Sequence, residues 1–179
     1  VNKKKSIKQK FAGWLLSKRV SKITRNKATI NFDKAKSAIV ILDGLDSGSE
    51  KVSNAFVDFL KQQKIAVDSV SFFDQKEKPE GEMEGRFFIA RKNLSTLGIP
   101  KQKEYAELFE KEYDLLVDLS IKNYFALDCV VELSRARFKI GMLPGNSVPY
   151  DFMIDLGNVR QLPEFIKQIK HYLPFLKTK

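Results

Sequence analysis

The sequence predicts an α/β protein: a three-layer, Rossmann-like or flavodoxin-like domain on a mostly parallel sheet of about five strands, preceded by a basic helical arm. Three observations predict it. The run Tyr113 to Ser120, YDLLVDLS, gathers Leu115, Leu116, Val117 and Leu119 into a stretch too short for a helix, the pattern of a strand covered on both faces. Short apolar runs of this kind alternate along the chain with amphipathic helical stretches, which argues for right-handed crossovers under helices on both faces. The charge, finally, is confined to one end.

Residues 1–31 form the arm and residues 32–179 the α/β domain. Lys3, Lys4, Lys5, Lys8, Lys10, Lys18, Arg19, Lys22, Arg25 and Lys27 are ten cations, and no Asp or Glu precedes Asp33. That leaves 22 of the 32 basic residues to face all 22 acidic residues in the domain, so the net charge of +10 belongs to the arm. Between Ser6 and Thr24 the arm is expected to be helical, because Pro is absent and Lys, Leu and Ala favour helix. At about 100° per residue, Ile7, Phe11, Trp14 and Leu15 fall on one side while Leu16, Val20 and Ile23 fall on the other. Either Gly13 breaks this helix in two, or one stripe docks on the domain and the other is left for a partner.

From Ala38 strands and helices alternate. Ala38 to Leu42 reads as a strand, followed by the loop Asp43 to Ser49 and a helix over about residues 50–63 that buries Val52, Phe56, Phe59 and Leu60. Ser47 and Glu50 have capping-box spacing. Ile65 to Phe73 is the next strand, ending at Asp74. Gln75 to Gly85, with Glu77, Glu80, Glu82 and Glu84, is a polar loop. Arg86 to Ala90 reads as a short additional strand, and Lys101 to Lys111 as a helix burying Tyr105, Leu108 and Phe109. After the Tyr113 strand come a helix over about residues 124–134, a strand at Arg137 to Met142, a turn at Gly145, Asn146 and Pro149, and a strand at Phe152 to Ile154. A closing helix starts near Pro163 and presents Phe165, Ile166, Ile169, Tyr172 and Leu173 on one face before Pro174 ends it.

The runs YDLLVDLS, SRARFKIGM (Ser134 to Met142) and YDFMIDL (Tyr150 to Leu156), with the basic leader, resemble an uncharacterised family of bacteroidete proteins of unknown function. The resemblance covers nearly the whole chain and implies no activity. Tyr113 to Gly141 is also similar to a strand-helix-strand unit in the acceptor domain of heptosyltransferase-type glycosyltransferases. Those enzymes use a second Rossmann domain for the donor, which 179 residues do not accommodate. Their first loop carries a Gly-Asp pair as base, where this chain has Asp43-Gly44 and Asp46-Ser47. The likeness therefore implies shared architecture rather than shared chemistry.

Composition narrows the function classes. The single Cys129 rules out a disulfide within one chain and a cysteine-rich metal site. No apolar run reaches a membrane-spanning length of about eighteen residues, and Phe11 to Leu16 is too short and too closely followed by Lys18 and Arg19 for a secretory signal. A cytoplasmic protein is expected. The sole histidine, His171, falls opposite the apolar stripe of the closing helix, so it reads as a solvated side chain and no multi-histidine metal site is available.

In a parallel sheet Asp43, Asp46, Asp74, Asp118 and Asp155 would all lie at strand carboxyl ends, where clustered carboxylates can hold Mg²⁺ for phosphate chemistry. The favoured account is simpler: strand-terminal Asp residues cap helices and bind loop amides, so no metal and no cofactor is assigned. Ser47 and Ser49, with Gly44 and Gly48, precede a helix N-terminus where phosphate can bind, but the loop lacks a Walker lysine and the dinucleotide fingerprint. A ligand edge of Asp43, Asp46, Ser47, Ser49, Asp118 and Asp155 is the enzymatic alternative, with nucleotide or sugar-phosphate substrates.

The arm carries the stronger signal, because like charges repel and ordering lysines costs entropy. A polyanion accounts for its ten cations, and Phe11 and Trp14 among them can stack on bases. The expected function is a non-catalytic binding protein whose arm engages RNA, above all on the ribosome. An anionic membrane surface is the rival partner. The structural alternative is a solvated tail docked on the body, its lysines near Glu77 to Glu84.

Overall fold

The computed structural model describes residues 7–44, 47–76, 85–143, 150–158 and 161–178, apart from the side chains of residues 47 and 48. Its centre is the run of Leu115, Leu116 and Val117, all fully buried in β4 (Leu115–Asp118). To one side lie β1 (Ser37–Asp43), β2 (Ala66–Phe73) and β3 (Arg86–Ala90); to the other lie β5 (Phe138–Leu143) and β6 (Phe152–Asp155). The order is β3-β2-β1-β4-β5-β6, and every pairing is parallel. The expected α/β architecture is present, with six strands rather than about five, because Arg86–Ala90 and Phe152–Asp155 both pair as edge strands. The chain builds outward from β1 to β3, then returns to lay β4 beside β1. That reversal places the topological switch point, where open sheets form crevices, between the carboxyl ends of β1 and β4.

The period of two along each strand divides the core into two layers. On one face Ile39, Ile41, Val70, Phe72 and Leu116 pack under α3 (Ala106–Glu110) and α4 (Phe125–Leu133), through Leu108, Phe109, Leu127, Val130 and Val131. On the other, Ala38, Val40, Leu115, Val117 and Ile140 pack under α2 (Ser47–Gln62) and α5 (Leu162–Tyr172), through Phe56, Leu60, Phe165, Ile166 and Ile169. Cys129 is buried in the first layer. His171 is exposed, its ring edge-on to Tyr172 and Phe175. No helix among the described residues is long and apolar enough to cross a membrane.

The arm helix α1 (Ile7–Val20) runs unbroken through Gly13. Ala12 and Leu16 are buried, and Leu15, Val20 and Ile23 pack partly against the first layer beside α4. One stripe thus docks, the second of the two arrangements that the sequence allows, but Leu15 joins it rather than the outer stripe, which is left with Ile7, Phe11 and Trp14. Beyond α1 the chain rounds the amino edge of the sheet. Arg25 donates from Nε to the Ala136 carbonyl at 2.5 Å and from Nη2 to the Arg137 carbonyl at 3.1 Å, and it pairs with Asp151. The Ala28 amide then bonds the Arg137 carbonyl, and Ile30 enters the second layer. The division at residue 31 is therefore one of charge, while packing runs across it.

Candidate functional site

Two places gather the residues singled out by sequence. The first is the outward face of α1. Ile7, Phe11 and Trp14 are 87%, 52% and 56% exposed. Lys18, eleven residues after Ile7, continues their line, and Lys10 flanks it. Phe11 and Trp14 stack with ring centroids 5.6 Å apart and planes 25° apart, and Lys18 Nζ sits 5.4 Å from the Trp14 ring centroid. A cation over an indole gains from the ring quadrupole while staying hydrated. The result is an exposed, stacked aromatic pair with an ammonium group at its edge.

Among the described residues, Lys8, Lys10, Lys18, Arg19 and Lys22 form no ion pair with the body. Arg25 and Lys27 behave differently, since both face Asp151, the lysine at 3.9 Å. Burial lowers the pKa of Arg25, but its carbonyl and carboxylate partners tie the guanidinium to the fold. Lys3, Lys4 and Lys5 lie outside the described residues, as do Glu77 to Glu84. The docked-tail alternative that pairs the arm's lysines with those glutamates falls there too.

The second place is the carboxyl edge. Asp43 and Asp118 do come to neighbouring strands at the switch point, for Ile41 lies opposite Asp118. Asp43 Oδ2 accepts from the amides of Ile121 at 2.8 Å and Lys122 at 3.2 Å, which fixes the loop between β4 and α4. Asp118 is buried; its Oδ1 accepts from the Ser120 amide at 2.9 Å and hydroxyl at 2.6 Å, and its Oδ2 from the Tyr150 hydroxyl at 2.6 Å. Desolvation pushes its pKa up to about 6 against the pull of those donors.

The other aspartates stay apart. Asp74 pairs with Arg91 at 2.6 Å, a bond that holds its carboxyl below the usual range, and Asp155 accepts from the Gly157 amide at 2.8 Å in a turn of its own. Asp46 and the Ser47 side chain lie outside the described residues, and Ser49 sits half-buried in the first turn of α2. Among the described residues no three His, Cys, Asp or Glu side chains converge as metal ligands. Asp43, Asp118 and Asp155 each accept from a nearby amide, the local role that the sequence favours for strand-terminal aspartates.

Sequence reasoning missed two residues here. Tyr150 locks Asp118, and nothing in a turn sequence announces that reach. Lys139, on β5, is 2% exposed and donates from Nζ to the Val131 carbonyl at 2.5 Å, capping the end of α4. A lone lysine inside an apolar strand run was the available signal.

A Family of unknown function (DUF6913) has a model that matches residues 8–176. No curated protein matches the chain.

Proposed function

The chain belongs to that family of unknown function, whose match takes in the arm from Lys8 as well as the body, and we propose that it is a non-catalytic, cytoplasmic binding protein whose arm engages RNA, on the ribosome above all. One observation carries the reading: the Phe11–Trp14 stack stands exposed amid lysines that form no ion pair with the body among the described residues. Exposed rings and uncompensated cations add nothing to the fold. A partner offering both base faces and phosphates uses each of them, at roughly 1–3 kcal/mol per stacked base and one released counterion per neutralised phosphate.

The test is binding of the full chain to single-stranded RNA across a salt series. Lys10→Glu, Lys18→Glu and Lys22→Glu together should weaken binding and flatten the slope of log K against log salt by about two, at roughly 0.7 per phosphate contact. Phe11→Ala with Trp14→Ala should weaken binding while leaving the slope in place. All five side chains are exposed, so circular dichroism should not change. Unaltered affinity and slope in both variants would overturn the reading.

Ile7, 87% exposed on the same line, favours a second reading in which this face lies on an anionic membrane. Flotation with anionic against neutral vesicles separates the two. The enzymatic alternative, nucleotide or sugar-phosphate chemistry at the aspartate edge, draws less support, since Asp43 and Asp118 are engaged by protein donors.

A further inference from the structure

A strand covered on both faces normally turns apolar side chains to both layers. β2 breaks that rule on one side only. Val70 and Phe72 enter the layer under α4, but Ser69 and Ser71 occupy the alternate positions facing α2. Above them α2 answers with Ser53 and Asn54 instead of closing with apolar groups. Ser53, Ser69 and Ser71 are 3%, 7% and 9% exposed, and none of the three hydroxyls has a hydrogen-bond partner among the described residues. They line a cleft of about 240 Å³ between α2 and the β2–β3 edge.

Their hydroxyls open into that cleft, where the polar groups of a ligand can meet them in place of water. The mouth of the cleft shows what kind of group that is. Arg86, the first residue of β3 and paired with Ser69, is exposed there with no ion pair among the described residues, and the carboxylates of Glu50 and Asp43 line the same space, where they can accept from a ligand's hydroxyls. At the carboxyl end, Gly44 lies so close to β2 that a Cβ would come within 2.5 Å of the Phe72 carbonyl oxygen. Any side chain at position 44 would force the two apart.

We propose that this cleft binds a small hydroxylated organic anion, a sugar phosphate or hydroxy acid, with its charged group on Arg86 and its hydroxyls on Ser53, Ser69, Ser71 and Asn54. The volume has room for about eight waters at ~30 Å³ each, or for one compact metabolite, and is below the range of nucleotide-sized sites. This site lies under α2, on the opposite face of the sheet from the α1 stripe, and is independent of the arm's partner.

The experiment is calorimetric titration and thermal shift on the full chain with ribose 5-phosphate, glycerate and, as the uncharged control, ribose. Either anion should bind saturably and raise the melting temperature while ribose does neither; whichever anion binds fixes the charged group as phosphate or carboxylate. Arg86→Gln should weaken binding about tenfold or more, the worth of a charge-assisted contact. Ser69→Ala with Ser71→Ala should leave the ligand-free protein folded and yet abolish the ligand-induced shift. The arm variant carrying Lys10→Glu, Lys18→Glu and Lys22→Glu should bind the anion as the wild type does. Absence of binding by either anion at millimolar concentration, equal binding of ribose, or loss in the arm variant rather than the cleft variants would overturn the proposal.

Discussion

The Tyr150 hydroxyl donates to Asp118 Oδ2 at 2.6 Å while its ring lies flat over Gly141, where a Cβ would come within 2.5 Å of the ring carbons. The residue that begins the approach to β6 thus reaches back across β5 to hold the end of β4. Asp118 is buried with a pKa of about 6, so the bond gains strength as the carboxyl ionises.

Tyr150→Phe should therefore destabilise the fold more at high pH than at low. The folded pKa of Asp118 stands above its unfolded value near 3.9, so the stability it contributes is present at low pH and lost as pH rises through about 6. Removing a donor to the charged form raises that pKa further and deepens the loss. Denaturant titration should show a cost on the order of 2–3 kcal/mol at pH 8 and about 1 kcal/mol at pH 4. Equal costs at both would refute the coupling.

Lys139 should give the opposite trend. Burial, reinforced by Arg25, lowers its pKa to about 7, below the unfolded value of about 10.4. Between those values the unfolded chain holds more protons, so the group penalises the fold at pH 7 and the penalty fades as pH rises. Relative to Lys139→Met, the wild type should gain on the order of 3 kcal/mol from pH 7 to pH 10. A constant difference between the two proteins would rule this out.

Much of this architecture was legible in the sequence. The run of Leu115, Leu116 and Val117 specified a doubly covered strand, and Phe165, Ile166 and Ile169 specified the buried face of α5. Neighbour order was not legible, because an apolar pattern says which faces are covered and not which strand lies alongside. The aspartates illustrate a second limit. Asp43 holding loop amides and Asp43 holding a metal would look the same in sequence, and only the positions of Ile121 and Lys122 distinguish them. The α2-side cleft leaves a trace in the sequence: Ser69 and Ser71 stand between Val67 and Phe73 on one face of β2, while Val70 and Phe72 are buried on the other.

Leu16 fastens α1 to the body, being buried against the layer that contains α4. Leu16→Ala should remove about 2–3 kcal/mol, and the loss should be local, since few groups besides Ala12 and the partly buried Leu15, Val20 and Ile23 hold the helix. Amide exchange along α1 should accelerate by roughly 30- to 100-fold while the amides of β1 and β4 keep their protection. A matching loss in the sheet would mean that arm and body unfold as one unit.

Trp14 is the only tryptophan in the chain, so its fluorescence reports on the outward face of α1 without labelling. The ring is 56% exposed, stacked on Phe11 and approached by Lys18, and its emission in the free protein should be that of a hydrated indole. A base stacking on the indole should quench it without driving it into an apolar medium, and salt should reverse the quenching as the phosphate contacts dissolve. Insertion into a bilayer surface should instead shift the emission to shorter wavelength, because the ring leaves water for acyl chains. Titration with single-stranded RNA is expected to quench at constant wavelength, and the variant with Lys10→Glu, Lys18→Glu and Lys22→Glu should need far more RNA for the same effect. A blue shift with anionic vesicles, together with no response to RNA, would transfer the face from nucleic acid to membrane.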